Sequence, residues 1–176
     1  MTPTAAASLD AGEFLRRYRV FGTGGEACVG CPRFGALWCC PPFDGDPLGE
    51  AVAAMDNPAV LLMAFSVPLA PVDMDALEPC RAEIDAAVRR MEAENPGTIA
   101  FGCGGCRLCG TAPCSRPQGL PCRHPDLART SLEACGIDLC TAARELLGIN
   151  LLWKPRDKQT TFLAALLSPR NQLPQI

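Results

Sequence analysis

Apolar positions along this chain change their period several times, and each change marks an element. Leu15 and Tyr18 fall three apart behind Ser8 and Asp10, either of which can cap a helix, and predict a short helix over Ser8–Arg19. Pro47–Met55 predicts a second helix, with Asp46 as its cap and Asn57-Pro58 as its stop. Ala59–Val67 is a near-continuous apolar run ended by Pro68, with the length of a buried central strand. Leu77, Cys80, Ile84, Val88 and Met91 then recur at three and four, which puts one apolar stripe on a long helix from about Asp75 to Glu94. Pro79 suits the first turn of that helix, so its ordered start is expected near Glu78; Asn95-Pro96-Gly97 ends it.

Thr98–Phe101 predicts a short strand and Asp126–Leu132 a short helix. Asp138–Leu147 is a clearer helix, capped by Asp138 and ended by Gly148. Ile149–Trp153 and Thr160–Leu167 predict a closing antiparallel hairpin around Lys154–Gln159. Helices and strands mix without strict alternation. The expectation is one α+β domain over residues 1–176: a small mixed or antiparallel sheet, with the Asp75–Glu94 and Asp138–Leu147 helices on one face.

Two stretches, at about 22–46 and 102–125, have no apolar period and are rich in Gly, Pro and Cys. They hold nine of the chain's 12 cysteines, four in the first and five in the second, so they are expected as two metal loops at one end of the domain. The opening residues contain no apolar core of a signal peptide, and no apolar run approaches the roughly 18 residues of a membrane span. A cytoplasmic protein is therefore expected, without a membrane partner. In a reducing cytosol such thiols read as metal ligands rather than disulfides. The net charge of −3 offers no basic face for nucleic acid, but it is compatible with docking to a basic patch on a redox partner protein.

Cys103, Cys106 and Cys109 form C-x2-C-x2-C, and Gly104, Gly105 and Gly110 let the backbone curl so that N–H groups can reach bridging sulfides. The bacterial ferredoxin run continues x3-C-P. Here Cys114 comes one residue later and Ser115 follows it, so the fourth ligand stays open between Cys114 and Cys122. Consecutive triples favour an iron–sulfur cluster, [4Fe–4S] first, whereas zinc sites use paired knuckles; zinc is the alternative.

In the first run Cys28 and Cys31 make a knuckle, followed by Cys39-Cys40-Pro41-Pro42. Neighbours in extended chain point opposite ways, so Cys39 and Cys40 do not serve one centre equally. Cys40, held by the prolines, is the chosen ligand; Cys39 is a buried thiol or points at another ligand set. Cys28, Cys31 and Cys40 are one short of four, and Cys114 or Cys122 could complete them, as in two-cluster ferredoxins. Cys80, Cys135 and Cys140 read as core thiols, and His124 as a loop histidine. Trp38 would shield a centre from water, and Arg123 could offset cluster charge. With one histidine and no GxSxG, P-loop or GxGxxG, no catalytic side-chain constellation is present, so any enzymatic chemistry would come from the metal or a partner.

The segments CVGCPRFGALWCCPP, CGGCRLCG and PCRHPDLARTSLEACGID resemble the DUF2284 family of predicted metal-binding proteins, over about Cys28 to Leu167. The resemblance implies metal binding at Cys28, Cys31, Cys40, Cys103, Cys106, Cys109 and Cys122. It favours Cys122 over Cys114, and Cys39 and Cys114 look like additions to its pattern. Arg129-Thr130-Ser131 departs from it by lacking a proline. The function expected is a carrier of one or two iron–sulfur clusters that transfers electrons to a partner enzyme. The alternatives are a zinc-stabilised interaction module and a redox enzyme using an open cluster position.

Overall fold

The computed structural model describes residues 1–22, 25–68, 77–151 and 159–174. Its sheet is a single antiparallel one of four strands, β1 (Ala5–Asp10), β2 (Pro58–Pro68), β3 (Ile99–Phe101) and β4 (Gln159–Pro169), in the order β1-β2-β4-β3. β2 and β4 pair along their whole length, from Pro58 opposite Pro169 to Pro68 opposite Gln159.

Both central strands are spelled almost wholly in apolar residues because both faces of the sheet are covered. Val60, Leu62 and Ala64 join Leu163, Ala165 and Leu167 on one face. That face packs against α1 (Ala11–Tyr18), α2 (Pro47–Ala54) and α4 (Leu139–Ala142, continued by a π-helical turn over Ala143–Leu147). Leu61, Met63, Phe65 and Val67 join Phe162, Ala164 and Leu166 on the other, beneath Ile84 and Val88 of α3 (Glu78–Glu94). The expectation that α3 and α4 share a face is thus corrected. Two helices on one side would leave the Leu61–Val67 row bare, at a cost of roughly 2 kcal/mol for each large side chain left in water.

The helix expected over Ser8–Arg19 is also corrected. Residues 5–10 form an edge strand on β2, and the helix starts at Ala11. Asp10 is the cap, accepting from Glu13 N at 2.9 Å. Six residues of ladder outweigh the helix preference of the alanines. Asp46 caps α2 as expected, accepting from Gly49 N at 2.9 Å, and Asp138 caps α4, accepting from Thr141 N at 3.1 Å.

Asp126–Leu132 forms no helix; the first helical turn there is Glu133–Cys135. Arg129 folds back on the carbonyls of Asp126 and Ala128, and the Thr130 carbonyl accepts from Gly102 N at 2.9 Å. Of the closing hairpin, Thr160–Leu167 lies in β4, but its neighbours are β2 and β3; residues 149–151 are not a strand, and 152–158 lie outside the described residues. Among the described residues no helix is long and apolar enough to cross a membrane.

Two long loops leave this frame. The first runs from α1 to α2, the second from β3 to α4. Their bases are tied together. Asp138 N donates to Tyr18 O at 2.8 Å, and Val20 N and Phe21 N both donate to Gly136 O at 3.2 Å. Arg19 and Asp46 close the first loop with paired contacts of 2.6 and 3.0 Å.

Candidate metal centre

The two cysteine-rich loops lie against each other. At Gly105, a Cβ would stand 2.7 Å from Leu37 Cδ1 and 2.8 Å from Arg33 Cδ, so the glycine lets these first-loop side chains lie directly on the second loop. Arg116 spans the join. Its guanidinium donates to the carbonyls of Leu37 at 2.7 Å, Pro42 at 2.5 Å and Cys40, and it sits 5.3 Å above the Trp38 ring. Trp38 Nε1 in turn donates to Leu120 O at 3.1 Å. Trp38 lines the cysteine cavity but is itself 39% exposed.

Below the loops, Glu78 at the start of α3 gathers one arginine from each. It accepts from Arg107 Nε at 2.6 Å, Arg33 at 3.2 Å and Arg81 at 2.8 Å. The Arg107 guanidinium leads these partners in holding the Glu78 carboxyl well below its ordinary value, at about 2. The folded state therefore keeps this group ionised where the unfolded chain, near 4.5, would protonate it. Its stabilisation is fully present above about pH 4.5 and is lost as pH falls towards 2. Glu78→Gln is expected to lower the urea midpoint at pH 7, with the gap to the parent closing on acidification. A gap that stays constant from pH 7 to pH 2 would remove Glu78 as a titrating anchor.

Between the loops opens a cavity of about 210 Å³. Cys39 from the first loop and Cys106, Cys109, Cys114 and Cys122 from the second line it, with His124 beside them. Three of these sulfurs accept backbone N–H groups: Cys39 from Cys106 N at 3.0 Å, Cys106 from Leu108 N at 3.5 Å, and Cys122 from His124 N at 3.4 Å. Such donors are the outer shell that a sulfur-ligated metal uses. Even so, the Cys39 thiol, lowered by its Cys106 contact, is pushed up to about 12 by the Cys40 contact and burial, and the Cys39 contact and burial push Cys106 far up. The segment carrying Cys114 and Cys122 is closed on itself by Ser115 Oγ to Pro121 O at 2.7 Å and Arg123 to Pro113 O at 2.8 Å. Arg123 thus braces a turn.

Cys103 lies elsewhere. It is 5% exposed, packed in the core face of α3, and its Sγ donates towards Asp85 Oδ1 at 3.6 Å and Arg81 O at 3.9 Å. Burial, then the Asp85 charge, push this thiol far up.

Cys28, Cys31 and Cys40 form a second neighbourhood. Cys31 N donates to Cys28 O at 3.0 Å, which tightens the knuckle. The contact with Cys39, at 3.9 Å between sulfurs, pulls the Cys40 thiol below its ordinary value against burial and the nearby Cys28 and Cys31. Burial, then Cys31 and Glu133, push Cys28 up. Glu133 Oε2 is shut away from solvent and lacks a hydrogen-bond partner, and burial raises its carboxyl. Among the described residues no three Cys, His, Asp or Glu side chains are gathered as a finished metal site. Cys80 and Cys135 pack in the two cores, as expected of structural thiols.

Arg116, Glu78 and Asp85 were not singled out from the sequence. Arg116 sits in a Ser-Arg-Pro with no periodicity, and Glu78 and Asp85 read as ordinary helix charges. Arg107 was also missed; its place inside the cysteine triple, between Cys106 and Leu108, is the signal that marks it.

Fold and loops together define a small α+β protein whose dense chemistry, among the described residues, is thiol. Residues 22–168 match the family of predicted metal-binding proteins DUF2284, and the chain belongs to that family. No curated protein and no solved structure matches it. The donor set suits a soft metal: the cavity's lining offers thiols and an imidazole, and no carboxylate.

Proposed function

We propose that the protein holds iron–sulfur clusters, of the [4Fe–4S] type, at its two neighbouring thiol sets and passes electrons to a partner protein in the cytoplasm. The observation that carries this reading is the cavity between the loops, lined by thiols whose sulfurs already accept backbone N–H groups. A bound cluster would supply one-electron chemistry. Cys106, Cys109 and Cys122 would hold one centre, and Cys28, Cys31 and Cys40 the other. Arg116 holds the two loops in register. The net charge of −3 favours a partner with a basic docking patch.

His124 at the same wall favours a second reading, a zinc site of mixed thiolate and imidazole that stabilises the fold. Anaerobic purification with counts of iron, labile sulfide and zinc separates the two. Visible absorption that bleaches with dithionite, with matching iron and sulfide, supports the cluster reading. A colourless protein with stoichiometric zinc overturns it.

A further inference from the structure

We propose that Cys39, not Cys103, is a thiolate ligand of the centre formed by Cys106, Cys109 and Cys122. The inference rests on the reading that the chain holds metal, and it changes which residues hold it. Spacing makes Cys103 the first member of a C-x2-C-x2-C triple and leaves Cys39 spare. The surroundings of the two sulfurs argue the reverse.

A metal ligand must be a thiolate, so its neighbours should be donors and its sulfur should face the other ligands. Cys39 has such a donor and lines the cavity: its sulfur accepts Cys106 N at 3.0 Å, and Cys106, Cys109 and Cys122 line the same cavity. Cys103 does neither. It does not line that cavity, and its sulfur faces two acceptors, the Asp85 carboxylate at 3.6 Å and the Arg81 carbonyl at 3.9 Å. A thiolate there would stand against a carboxylate in a buried place, where like charges repel most strongly. The Asp85 carboxylate is fixed on this side by Arg107 Nη1 at 2.8 Å and by Cys103 N at 3.3 Å. Cys103 therefore packs against the core at the base of the second loop, while Cys39 meets Cys106 across the cavity from the first loop.

Cys40, the next residue, is the first loop's ligand beside Cys28 and Cys31, so adjacent residues serve different centres.

The test compares Cys39→Ser, Cys103→Ser and Cys103→Ala with the parent, purified anaerobically. Metal and labile sulfide per chain are counted, and circular dichroism checks folding. Cys103→Ser keeps a hydroxyl that can donate to Asp85, and it should hold the parent's metal content. Cys39→Ser should lose the share of one centre, roughly half if both centres are clusters of one type. The proposal is overturned if Cys103→Ser, folded, loses metal, or if Cys39→Ser retains all of it. Cys103→Ala extends the comparison: full metal despite a lowered melting temperature supports a purely structural thiol. A parent chain without metal would instead sink the underlying reading.

Discussion

Cys106→Ser is expected to empty the centre between the loops, while Cys80→Ser leaves metal content unchanged. Cys106 is the residue on which every line of argument converges. It is the middle member of the triple in the sequence. Its sulfur faces the cavity and accepts Leu108 N at 3.5 Å, and its own amide donates to the Cys39 sulfur. The change to serine replaces a soft thiolate by a hard, weakly acidic hydroxyl, a poor ligand for iron in a cluster or for zinc in a thiolate site. Loss of one ligand should exceed the 10–100-fold weakening typical of outer-shell changes, so about all metal at that centre should go. The Cys28, Cys31 and Cys40 set should stay filled. Cys80 lies on α3 against the apolar core of that face. There serine costs packing and no ligand. Metal and sulfide counts on the two variants decide the matter; equal losses in both would overturn the placement of Cys80 in the core.

The contrast between those two cysteines was legible in the sequence, because helical spacing puts Cys80 on an apolar stripe and loop composition puts Cys106 elsewhere. The same logic read β2 correctly. An apolar run without alternation demands cover on both faces, and the structure supplies α3 on one side and α1, α2 and α4 on the other. What the run does not encode is which helix takes which face, since both faces of β2 are equally apolar. β1 was illegible for a related reason. Its alanines suit a helix, and only pairing with residues 59–64 of β2 makes them a strand. At the site, spacing identified the thiols but not their surroundings. Cys103 and Cys106 look equivalent in a triple; Asp85, 18 residues before Cys103 on α3, makes them different. Arg116 was invisible because its role depends on three carbonyls more than 70 residues away. Such contacts join segments with no common period, and no local pattern announces them.

Gly136→Ala is expected to destabilise the fold strongly. Gly136 has φ +82°, the left-handed region, where a residue with a side chain costs roughly 1–3 kcal/mol. Space compounds that cost. A Cβ there would press on the backbone carbonyls of Phe21 and Gly22, the latter at 3.0 Å. Backbone cannot rotate aside as a flexible side chain can, so the loop bases must part. Parting them breaks the hydrogen bonds of Val20 and Phe21 to Gly136 O, worth about 1 kcal/mol each, and strains the bridge between Arg19 and Ile137. The sum is roughly 3–5 kcal/mol, which for a chain of this size lowers the melting temperature by on the order of 10 °C. Gly148→Ala is the matched control. Its φ is +68°, but a Cβ there meets nothing within 4 Å. It should carry the conformational cost alone, and the difference between the two variants isolates the contact between the loop bases. Because that contact seats the first loop on the second, Gly136→Ala should also weaken metal retention under a chelator, while Gly148→Ala should not. Equal melting temperatures for the two variants would show that the loops are held together elsewhere.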